Sequence, residues 1–239
     1  MINQSATSTP SHSDRDKMNV HMHREIDAIK MQILEMGRLA EDLLEKSLLA
    51  LVSRDAVLAE EVIQNDHEID MMELRIEEEC LKILALHQPV AVDLRFMVAV
   101  LKINNDLERI ADLAVNIADR AKDLQHFPNE EIPVEISTMK TKSQAMLRDV
   151  ITSLMELNEP LARDIFERDD AIDAMHRQMY QQMSAKIQAT PEKTDYYISI
   201  LSVSRYLERV SDQATNIAED VVYLITGDIV RHGIKRIRN

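Results

Sequence analysis

Thirteen residues recur one hundred positions apart in this chain. Leu107 to Asp119 reads LERIADLAVNIAD and Leu207 to Glu219 reads LERVSDQATNIAE, with eight of the thirteen positions identical. Two unrelated segments would share about one position at ordinary residue usage. The chain therefore carries an internal duplication. A period near one hundred is too long for a solenoid repeat and fits a duplicated domain, each copy large enough for a core of its own.

Each copy sorts its residues onto two faces of a helix. Leu107, Ile110, Ala111, Ala114, Ile117, Ala118, Ala121 and Leu124 recur at spacings of three and four, the signature of one buried stripe. Glu108, Asp112, Asn116 and Asp119 recur at the same spacings on another face, as do Glu208, Asp212, Asn216 and Glu219. Such a stripe either solvates the helix or presents oxygen ligands one turn apart. Solubility alone would be served as well by Lys, Gln or Ser, so the recurrence of acceptor oxygens at matching angles weighs toward ligands.

Composition narrows the fold. Three glycines, six prolines and 3% aromatic residues beside 45% hydrophobic residues suit an aliphatic and methionine-rich helical core rather than a sheet. A formal net charge of −14 excludes nucleic-acid binding through a broad basic surface and favours cations or basic partners. Cys80 is the single cysteine, which leaves no intramolecular disulfide and no thiolate zinc site. With no long apolar run and no signal-peptide pattern, a soluble cytoplasmic protein is expected.

Along the chain, residues 1–22 are Ser/Thr-rich without apolar period and read as a disordered tail. Residues 23–126 read as three long helices, with breaks near Ser53 to Asp55 and at Gln88-Pro89. A linker is expected at 127–132, and 133–227 reads as three more helices, with Pro160 opening the fifth and Pro191 preceding the sixth. The expected architecture is all-α, a tandem duplication of an antiparallel three-helix bundle. Residues 228–239 form a basic tail containing Arg231, His232, Lys235, Arg236 and Arg238. That tail is either a solvated end suited to a helix C-terminus or a docking strip for an anionic surface.

A second pair of acids completes the pattern. Asp66 and Asp70 lie 103 positions before Asp169 and Asp173, the offset that also aligns the buried stripes of the second and fifth helices. With the prolines taken as hairpin turns, Asp70 lies nineteen residues before Pro89 and Glu108 nineteen after it, while Asp66 and Asp112 each lie twenty-three away. In the second copy the levels agree within one residue, a displacement of about 1.5 Å. Four carboxylates per copy can converge, and like charges so placed call for a cation. An oxygen-rich set without thiolate suits a hard divalent cation or ferric iron, so Mg, Ca, Mn, Fe or Zn is a candidate whose identity the spacing leaves open. His176, three after Asp173, adds a candidate nitrogen ligand.

These residues, with QPVAVDLR at Gln88 to Arg95 and GDIVRH at Gly227 to His232, resemble the PhoU family of phosphate-signalling proteins over about residues 23 to 232. The resemblance implies a pair of three-helix bundles, a homodimer, and a negative regulator of the phosphate-starvation response. It implies partners in the ATPase subunit of a phosphate transporter and a sensor histidine kinase, peripheral contact with the inner membrane surface, and no catalytic activity. The family's (E/D)-x-x-x-D motifs, metal-binding in some members, match Asp66 with Asp70, Glu108 with Asp112, Asp169 with Asp173, and Glu208 with Asp212. The competing functions are a carboxylate-bridged metal enzyme, for which the Glu-x-x-His pairs of ferritin-like sites are absent from the sequence, and a purely structural helical homodimer.

Overall fold

A computed structural model describes residues 12–231 and 234–235, with side chains placed from Val20 to Val230. Six long helices carry the chain: α1 (His12–Ser53), α2 (Ala56–His87), α3 (Ala91–Asp123), α4 (Val134–Glu156), α5 (Glu159–Ala189) and α6 (Thr194–Thr226). None of them is long and apolar enough to cross a membrane.

The helix ends follow from local chemistry. Asp55 caps α2, its Oδ1 accepting from the amides of Val57 at 2.9 Å and Leu58 at 3.1 Å. Gln88 then turns left-handed at φ 47°, and the Pro89 loop sends α3 back along α2. Asn158 caps α5 through the Leu161 amide, with Pro160 in the first turn. Gly227 ends α6 at φ 75°, a conformation in which a side chain would be strained.

Two of the expected boundaries move. Helix α1 begins at His12, whereas the sequence pattern places the start of the first helix near residue 23, and Met22 is buried to 6% exposure. The expected tail is therefore helical over its second half, and residues 1–11 lie outside the described residues. The basic end, expected as a tail, forms a short antiparallel hairpin in which Val230 pairs with Lys235 and Arg231 with Ile234. The side chains of Arg231 and Lys235, and His232 and Arg236 altogether, lie outside the described residues.

Helices α1, α2 and α3 pack as one bundle and α4, α5 and α6 as another, and α3 packs on α6 between them. Fifteen residues of α3 and seventeen of α6 are buried, against six in α2 and five in α5, because the two central helices are covered on two sides. Lys102 meets Asp220 at 2.6 Å while Asp106 meets Asn216, so the two central helices run in opposite directions. The duplication suggests two separate cores, whereas the buried side chains form one continuous cluster through this seam.

The connection between the bundles is tied from the turn between α1 and α2. Arg54, held at φ 56°, donates to the carbonyls of Leu124 at 2.9 Å, Phe127 and Glu130. Replacing Arg54 by Ala removes three charge-assisted hydrogen bonds and is expected to lower the unfolding free energy by about 2–4 kcal/mol in urea titrations. Lysine should not restore the loss, since a single ammonium lacks the planar fork that spans several carbonyls.

Candidate metal centre

The second hairpin brings three of its four expected carboxylates together. In the second copy, α5 supplies Asp169 and Asp173 and α6 supplies Asp212, and one ligand oxygen from each lies within 4.8 Å of the others. All three are half-buried. Asp169 Oδ1 is fully buried with no hydrogen-bond partner, an acceptor without a donor among the described residues. Burial pushes Asp169 up to about 6, offset in part by the Ser211 hydroxyl and reinforced by Asp212 and Asp173. Asp212 is likewise pushed to about 6, by burial and then by Glu208 and Asp173. Glu208 rises for the same reasons, chiefly burial and then Asp173.

The first copy has the same charges in a looser array. Burial raises Asp66 to about 6, with Asp70 and Asp112 adding repulsion. Glu108 is raised to about 7, first by burial and then by Asp112, Glu73, Asp70 and Asp66, so it feels every other acid of the patch. Glu73 thereby joins the four expected carboxylates. Asp112, however, is exposed, and among the described residues the three-carboxylate convergence occurs only in the second copy.

His176 stands beside the second patch with its tautomer set. The Ser204 hydroxyl donates to the Leu201 carbonyl at 2.9 Å, so its oxygen accepts from His176 Nδ1 at 2.9 Å. The lone pair is then on Nε2. Burial, with Arg205 and Arg177, holds the imidazole below its ordinary value and hence neutral near pH 7. It lies outside the three-carboxylate cluster.

The two asparagines depart from the expected ligand set. Asn116 is exposed and donates to the Asp112 carbonyl at 2.7 Å. Asn216 is turned toward α3, where it bonds the Asp106 carboxylate and lines a cavity with Lys102, Asn105, Asp220 and Tyr223. Asn216 thus serves the seam, while Asn116 bonds back to its own helix. The seam itself is absent from the sequence expectation: Asp106 is buried and pushed to about 7, mainly by burial and then by Asp220. Its counterpart in the second copy is Tyr206, so comparing the two copies offers no signal for it.

Three converging carboxylates, an orphaned buried oxygen and mutual repulsion fit a hard cation. Asp169, Asp173 and Asp212 would be its ligands, with Glu208 next to them. Arg177 is 3.4 Å from Asp173 and would give way to it.

The chain matches the family model described as the PhoU domain twice, over residues 33–121 and 136–221. It is 35% identical over 211 residues to the phosphate-specific transport system accessory protein PhoU homolog of Aquifex aeolicus, covering 88% of this chain and 96% of that protein. The homolog from Pseudomonas aeruginosa is 32% identical, over 94% of this chain and 96% of the relative. Its fold is similar to the crystal structure of PhoU from Pseudomonas aeruginosa, with a TM-score of 0.83 at 32% identity over 86% of this chain and 99% of the other. The phosphate transport system regulatory protein PhoU from Streptococcus pneumoniae gives 0.81 at 30% identity, over 88% and 99%. With the duplicated motif, the paired bundles and the matched domain models in agreement, the chain belongs to the PhoU family.

Proposed function

We propose that this chain is a metal-loaded regulator of phosphate transport, an adaptor that reports the state of a phosphate transporter through its ATPase subunit to a sensor histidine kinase. It acts as a homodimer on the cytoplasmic side and represses the phosphate-starvation response. Family membership over most of the chain carries this reading, since the relatives are phosphate-specific transport accessory proteins by name. The convergent carboxylates of Asp169, Asp173 and Asp212 support the metal. A bound divalent or ferric ion would cancel the repulsion within each patch and turn a crowded acidic face into an ordered one that a basic partner surface can meet.

Deleting the gene in its host should release a phosphate-starvation reporter under phosphate-replete conditions, and the intact gene should restore repression. A reporter that stays silent in the deletion strain removes the regulatory reading. The basic end supplies a finer test. In a protein of net charge −14, the strip with Arg231, His232, Lys235 and Arg236 is best suited to an anionic membrane surface or an acidic partner face. Arg231→Glu with Arg236→Glu is expected to weaken co-purification with transporter-containing membranes in a salt-sensitive way while metal content is unchanged. Recovery indifferent to both charge and salt assigns docking to the helical faces instead.

A further inference from the structure

Two sequence motifs are left unused by the carboxylate patches, and they meet in space. Arg95 closes QPVAVDLR near the start of α3, and Gly227 opens GDIVRH at the end of α6. A Cβ built on Gly227 would lie 3.4 Å from Arg95 Nη1 and 3.6 Å from its Cζ, so the guanidinium packs on bare glycine backbone. There it lines, with Lys30 and Asp93, a cavity of about 470 Å³ between the bundles. Ile26, Ile33, Phe96, Leu154, Leu157 and Leu224 are among the side chains that line it. Its volume is within the range of about 300–1,000 Å³ in which small-molecule sites fall, and an apolar wall with few convergent polar groups is their usual chemistry.

One polar group of the lining lacks a partner. Arg95 is half-buried, and its Nε is fully buried with no hydrogen-bond acceptor among the described residues. A buried guanidinium N–H without an acceptor is costly and calls for an explanation. Lys30, the other cation lining the cavity, is already engaged by Asp27 at 2.9 Å and sits 5.4 Å from the Phe96 ring centre. Asp93 contributes one negative charge to the lining. What distinguishes Arg95 is its buried Nε donor, which has no acceptor, beside an apolar wall.

The geometry points to a binding site for a single-chain fatty carboxylate, its head paired with Arg95 and its chain lying between the bundles. One guanidinium matches a monoanionic, planar carboxylate, which it can hold through two parallel bonds, better than a dianionic phosphate. An apolar wall beyond the head calls for a hydrocarbon chain rather than a second polar group. The site shares no residue with the carboxylate patches. It touches the middle of α1, the start of α3 and the ends of α4 and α6, so an occupant would bear on how the two bundles sit against each other.

The test uses the full chain, titrated calorimetrically with dodecanoate below its micelle concentration. Dodecyltrimethylammonium, inorganic phosphate and phosphatidylglycerol vesicles are titrated alongside. Saturable one-to-one binding of dodecanoate, with neither the cationic analogue nor phosphate competing, is the expected result. Arg95→Met should weaken it about tenfold or more while the melting temperature holds or rises, because the substitution removes a buried donor without an acceptor. Val92→Asp, at a lining position 57% exposed and so safe for folding, should weaken it as well through repulsion. Absence of dodecanoate binding, equal binding of the cationic analogue, indifference to both substitutions, or binding to vesicles alone would each overturn the assignment, the last in favour of a bilayer contact.

Discussion

Asp169→Asn together with Asp212→Asn should strip the second patch of metal, lowering its affinity by more than the roughly 10–100-fold that losing even an outer-shell partner of a ligand costs. Both side chains would supply ligand oxygens, and Asn keeps their size while removing the charge that a hard cation requires. The helix should survive, because the positions are half-exposed and the substitution relieves like-charge repulsion. The metal-free double variant is accordingly expected to melt at or above the temperature of the metal-free parent. Glu108→Gln with Asp112→Asn should cost the first patch less. Its carboxylates do not converge on one point as the second set does, and Asp112 is exposed, so its starting affinity is lower. Titration of chelator-treated protein with Mn²⁺ or Fe²⁺ should show two classes of site, the tighter one absent from the Asp169/Asp212 variant. A variant that retains both classes would remove the metal assignment from these residues.

The acidic patches were legible because they depend on one hairpin each. A helix hairpin with its turn marked by proline preserves level from sequence, so counting outward from Pro89 and Pro191 places Asp66 near Asp112 and Asp173 near Glu208, and the repulsions felt in the structure fall on those pairs. The seam was not legible because it joins α3 to α6 across the duplication. Lys102, Asp106 and Asp220 have Ser202, Tyr206 and Arg120 as their counterparts, so the copies differ in chemistry where they meet. The early start of α1 was hidden for another reason. Residues 12–22 carry too few apolar positions to show a period, and a helix there is an extension of one held by tertiary packing further along. The terminal hairpin pairs only four residues, too few for alternation to register.

Raising the pH from about 5 to 7.5 should destabilise the metal-free protein, the reverse of what paired surface carboxylates do. Asp66, Asp169 and Asp212 are raised to about 6, and Asp106 and Glu108 to about 7, in every case first by burial and then by neighbouring acids. In the unfolded chain the same groups titrate near about 3.9–4.3. Between about pH 4 and 7 the folded state therefore holds more protons than the unfolded state, and stability falls as pH rises through that window. His176 opposes the trend, since its lowered value makes folding easier as it loses its proton, but it is one group against these five and the likewise raised Glu73, Asp112 and Glu208. The carboxyls are partly solvated, so most of the nominal effect is screened, and a residue of roughly 1–2 kcal/mol corresponds to a drop of about 2–8 °C in melting temperature. Metal should erase the decline. Its ligands must be deprotonated, so affinity increases with pH, and a site filled at one hundred times its dissociation constant adds about 2.7 kcal/mol. Calorimetric melts at pH 5 and 7.5, with and without Mn²⁺, measure both slopes. A metal-free protein that is more stable at pH 7.5 would mean that these carboxylates are neither buried nor crowded as the hairpins place them, and the cation would lose the physical reason for its presence.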